Sequence, residues 1–184
     1  MVIKTSKKTQ KANSGQLNSV QLNIITFVDV YKALENHSLD ECVYITDNSL
    51  NSLHEGTDKL RTTCKQGQVL NWIIYPLDMD KRLDKRLGKQ WPSMPKINNI
   101  VFLNEQGENV SELKVCTEFK IYGAPDKIRT EYDPVYYYWA GTVLPDLPPG
   151  VYKYRLIIEL QPVKEGGAPI YLNLDTPSLQ VIGL

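Results

Sequence analysis

The residues able to do chemistry are few and scattered. The chain has two histidines, His37 in "ENHSLDE" and His54 in "SLHEGTD". Zinc takes three or four N, S or O ligands at short, recognisable spacings. Glu55 beside His54 makes neither an HExxH pattern nor a second imidazole ligand. Asp78 and Asp80, in "DMD", lack the glycine and distal glutamate of a calcium loop. The three cysteines, Cys42, Cys64 and Cys116, are widely spaced, odd in number and without a CxxC pair. That pattern predicts reduced, unligated thiols rather than a disulfide or a metal site. A thiolate nucleophile would need Cys42 near His37, or Cys64 near His54, and a group that lowers its pKa. No GxSxG, P-loop or Rossmann glycine run is present. No catalytic residue, metal ligand or cofactor is expected, and the chain reads as a non-enzyme.

Aromatic residues carry the stronger signal, with 11 Tyr against 3 Phe and 3 Trp. A tyrosine ring with its polar tip suits half-wet surfaces better than deep core. In "VYYYWAG", strand alternation puts Val135, Tyr137 and Trp139 on one face and Tyr136, Tyr138 and Ala140 on the other. The first face is expected to point inward. Tyr136 and Tyr138, with Tyr132 and Trp91 near Asp133, then form a candidate contact surface. Its first use would be self-association, since rigid aromatic area makes contact at low entropic cost. The alternative is a carbohydrate or small-ligand platform, on which sugars stack against the ring faces.

The elements that must position this strip read as strands. Candidate strands are 20–31, 42–46, 59–65, 68–75, 97–103, 113–122, 134–144, 151–160, 170–174 and 179–183. In "KLRTTCK", Leu60, Thr62 and Cys64 alternate against Arg61, Thr63 and Lys65. In "LKVCTEFKIY", Leu113, Val115, Phe119 and Ile121 share one face. Short strands separated by Gly, Pro and Asn turns predict an all-β chain, a single antiparallel β-sandwich, Ig-like or jelly-roll-like, of about 8–10 strands. Its expected core is Leu60, Trp72, Ile74, Val115, Phe119, Ile121, Leu156 and Ile158. "LPPGVY" suits a tyrosine corner, with the Tyr152 hydroxyl returning to the backbone across the turn. Helical signal is confined to "VYKALENH" and to a turn within "DMDKRLDKRLGKQ", part of a long loop around 78–96.

Residues 1–18 form a polar basic tail and 19–184 the sandwich domain. Lys and Arg number 21 and so do Asp and Glu, giving a formal net charge of zero. Nothing therefore draws the chain toward nucleic acid or an anionic membrane, and little repulsion keeps copies apart. The N-terminal stretch lacks an apolar signal core, and no segment has the length of a membrane span. A cytoplasmic protein that partners itself is the expectation.

Four segments, in order, resemble the AidA/PixA family of bacterial inclusion-body proteins. "IITFVDVYKAL" is similar to the family's opening strand. "HEGTDKLRTTCKQGQVLNWIIYPLD" is similar to its next conserved stretch, with Gly56, Thr57, Asp58, Leu60, Gly67 and Trp72 in matching places. "VYYYWAGTVLPDLPPGVYKYRLIIEL" and "APIYLNLDTPSLQV" resemble the aromatic and closing strands, the latter through Tyr171 and Asp175. Leu174 stands where the family has tryptophan, and Asp175-Thr176-Pro177 replaces its Asp-Pro. The resemblance spans most of residues 20–184. It implies an antiparallel β-sandwich and accumulation in cytoplasmic inclusions tied to storage or growth state. It supplies no catalytic residues.

Overall fold

Alternation of apolar side chains decides the first strand. β1 (Leu22–Val28) buries Leu22, Ile24, Thr26 and Val28 on one face. Asp29 then starts the helix α1 (Val30–Asn36), its carboxylate accepting the Lys32 N–H at 3.0 Å. His37, left-handed at φ 50°, ends it after two turns. The other strands are β2 (Val43–Asp47), β3 (Arg61–Lys65), β4 (Val69–Pro76), β5 (Lys96–Leu103), β6 (Lys120–Gly123), β7 (Tyr137–Thr142), β8 (Gly150–Leu160), β9 (Ile170–Leu174) and β10 (Ser178–Ile182). This computed structural model describes residues 21–77, 94–110, 112–123, 137–161 and 167–183. The basic tail and most of the 78–96 loop, with its expected helical turn, lie outside them.

The strands form two five-stranded sheets. One has the order β2-β1-β4-β7-β6; the other runs β3-β10-β8-β5, with β9 paired to the far end of β8. Their inner faces meet through large side chains. Trp72 of β4 packs edge-on against Tyr154 of β8, ring centroids 6.0 Å apart. Trp139 of β7 donates its indole N–H to the Ile97 carbonyl of β5 at 3.0 Å. The all-β expectation holds, and β8 buries Tyr154, Leu156, Ile158 and Leu160 completely, as its alternation requires.

Uniformly antiparallel pairing does not hold. β1 pairs parallel with β4, and β10 pairs parallel with β3. The physical reason lies in the Gln66-Gly67 turn, which resembles a hairpin in sequence. It carries the chain from β3 in one sheet to β4 in the other. β4 therefore returns beside β1 after an excursion long enough to permit parallel pairing.

A second correction concerns residues 113–122, expected to form one alternating strand. Only Lys120–Gly123 is a strand, and all four residues are exposed. Upstream, consecutive residues Val115 and Cys116 are both buried, which strict alternation forbids. This segment bonds to the end of β7 and beyond, through Thr117 N–H to Thr142 O and Leu144 N–H to Val115 O. Phe119 folds inward over Gly141 and packs against the core only partly buried. Ile121, expected in the core, is 53% exposed. It faces the same side as its partner Trp139, but among the described residues β6 is the last strand of its sheet.

At the other end, the Tyr152 hydroxyl donates to the Pro148 carbonyl at 2.7 Å. The tyrosine corner read from "LPPGVY" is present.

Candidate functional site

The β7 strip is anchored from below. The Tyr137 hydroxyl donates to the Ile97 carbonyl at 2.7 Å, while accepting the Trp139 indole N–H at 2.7 Å. Both residues thus face inward, as alternation requires. Tyr138 must then point to the opposite face, where β6 supplies its neighbour. Tyr122 lies directly across from it in the ladder. The two rings stack with centroids 5.1 Å apart and an interplanar angle of 16°. Tyr122 is 45% exposed, so the pair forms an aromatic ridge at β6, the last strand of this sheet among the described residues. With exposed Ile121 on the other face, this edge presents apolar surface on both sides.

Of the sequence-predicted surface, Tyr138 alone lies within the described residues. Tyr132, Asp133, Tyr136 and Trp91 lie outside them. Tyr122 was missed by the sequence reading. It ended the expected 113–122 strand, and only the pairing of 120–123 with 137–140 brings it to Tyr138. A weak local signal existed: "KIY" places it on the opposite face from Ile121.

Cys42, Cys64 and Cys116 are free and buried. Burial pushes the Cys64 thiol up to about 12 and raises Cys42 and Cys116 as well. The Cys42 thiol donates to the Asp40 carbonyl at 3.1 Å. Among the described residues, no group of three His, Cys, Asp or Glu side chains is arranged to hold a metal ion.

A cleft of about 750 Å³ opens between the outer edge of β5 and residues 113–119. Its floor includes Phe102 and Phe119, whose rings stack with centroids 6.2 Å apart.

Among the described residues, two mixed sheets and one short helix define an all-β protein. No helix among the described residues is long and apolar enough to cross a membrane. The fold resembles that in the crystal structure of an inclusion body protein (PixA) from Burkholderia cenocepacia J2315, with a TM-score of 0.60. The match covers 94% of this chain and 100% of that one at 10% sequence identity, a likeness of fold alone. Residues 20–85 match a family described as a domain of unknown function, DUF8788. No curated protein matches the chain in sequence.

Proposed function

We propose that this protein is a self-associating, non-enzymatic member of the AidA/PixA family that accumulates in the cytoplasm in an inclusion-body-like form. The observation that carries this reading is the Tyr122–Tyr138 stack beside the exposed strand β6, the last of its sheet among the described residues. A formal net charge of zero leaves little long-range repulsion between copies. The fold shared with an inclusion body protein supports the same reading. In this account a second copy covers the β6–β7 edge, with Tyr122, Tyr138 and Ile121 as the first points of contact. Contacts of this kind bury on the order of 1,600 Å² in total, and a few aromatic residues carry most of the affinity. Carbohydrate stacking is the less favoured use, because each tyrosine already spends one ring face on the other.

Sedimentation velocity across a concentration series, at low and high salt, tests this. The native protein should assemble as concentration rises. The double variant Tyr122→Ser/Tyr138→Ser should keep its melting temperature and shift toward monomer. A native protein that stays monomeric yet binds glycans would replace self-association with carbohydrate recognition. Assembly of the double variant with unchanged affinity would remove the ridge from the contact.

A further inference from the structure

The outer face of the β3-β10-β8-β5 sheet holds two guanidinium groups in opposite circumstances. On β8, Arg155 is matched by Asp175, whose two carboxylate oxygens accept from its Nε and Nη2. On β3, Arg61 points outward, because Leu60 and Thr62 on either side of it are buried. Its cross-strand neighbour is Ser178 of β10, and the next position along that row is Lys153 of β8. Among the described residues, neither Arg61 nor Lys153 has an ion pair. The Arg61 Nε–H is buried without an acceptor, a cost that persists until something supplies one. Ser178 faces outward, opposite to fully buried Leu179, yet is only 5% exposed, so taller neighbours stand around it. Among the carboxylates of adjoining segments, Asp175 is taken by Arg155 and Glu55 accepts from the Thr46 hydroxyl. That of Asp58 forms no ion pair among the described residues.

We propose that Arg61, Ser178 and Lys153 bind a phosphate group. Neighbouring strands lie about 4.8 Å apart, so the backbones of Arg61 and Lys153 are about 10 Å apart with the serine between them. Two cationic side chains on such a row repel each other unless an anion stands between them. The short serine leaves the gap, and its hydroxyl donates from the floor. Turned toward that gap, the Arg61 guanidinium offers Nε–H and one Nη–H as a fork that fits two phosphate oxygens. The Lys153 ammonium meets the third oxygen as a point charge. A carboxylate has only two oxygens and would leave one of these donors unused, so the site favours phosphate. The sheet concerned is not the one that carries β6 and β7, and the proposal does not depend on self-association.

The probe is inorganic phosphate, titrated near neutral pH into ¹⁵N-labelled full-length protein at constant ionic strength, with chloride as the matched control. The Arg61 Nε–H and Ser178 amide signals should shift along a saturable curve that chloride does not produce. Acetate should bind about tenfold more weakly or worse. Arg61→Gln and Lys153→Gln, both at outward positions, should keep the melting temperature and each weaken phosphate by about tenfold or more. Shifts that grow linearly, and equally with phosphate and chloride, would overturn the proposal. So would equal affinity for acetate, or unchanged phosphate affinity in both variants.

Discussion

Tyr152 and Tyr154, two residues apart on β8, place their hydroxyls in opposite circumstances. That of Tyr152 bonds to the Pro148 carbonyl. That of Tyr154 is fully buried; the Trp72 indole approaches it without meeting hydrogen-bond geometry, and neither group has a partner among the described residues. A buried polar atom left unpaired loses hydration with no return, so removing it relieves the fold. Tyr152→Phe should destabilise by about 1 kcal/mol, whereas Tyr154→Phe should be neutral or stabilise by about 1 kcal/mol. Urea unfolding of both variants measures the contrast. Equal losses from the two would mean that Tyr154 has a partner.

The element that best shows how this core closes is β7. A Cβ added at Gly141 would lie 2.8 Å from Cε1 and 2.9 Å from Cδ1 of Phe119. The ring is held against Trp72, Phe102 and Trp139 at centroid distances of 5.5, 6.2 and 5.9 Å, and moving it toward the cleft would loosen those contacts. Gly141→Ala should therefore destabilise by about 1–3 kcal/mol through overpacking. Adding Phe119→Leu should cost less in the alanine background than in the native protein, since the smaller side chain relieves the clash. A thermodynamic double-mutant cycle checks this; strictly additive losses would show that the two positions do not meet.

For the whole molecule, buried thiols set an alkaline limit. Burial in the fold favours the neutral form of Cys64 and raises its pKa from 9.0 to about 12. The unfolded chain ionises first, so this contribution to stability is fully present below about pH 9 and is lost as pH rises toward 12. The fall should approach about 1.4 kcal/mol per pH unit for each such group. Cys116, Cys42 and Tyr154 are raised in the same direction, chiefly by burial, and steepen it. Stability measured by denaturant from pH 8 to 11 should decline, and Cys64→Ala should decline less steeply. A flat profile would contradict the buried placement.

Local chemistry made much of this protein legible in its sequence. Alternation in "VYKYRLIIEL" and "KLRTTCK" assigned inner and outer faces correctly because side-chain direction depends only on position along a strand. "LPPGVY" announced the tyrosine corner because donor and acceptor lie four residues apart. Tertiary structure alone decided which strands became neighbours. Whether the Gln66-Gly67 turn closes a hairpin or crosses between sheets depends on partners more than a hundred residues away, such as Ile182, whose carbonyl accepts the Gln66 N–H. The same dependence decided the fate of residues 113–123. Val115 and Cys116 are buried together beside Val143 and Leu144, which follow β7, and Ile121 is exposed on the last strand of its sheet among the described residues. Tyr122 met Tyr138 through a register that no local pattern encodes, since pairing is selected by the burial of the whole sheet.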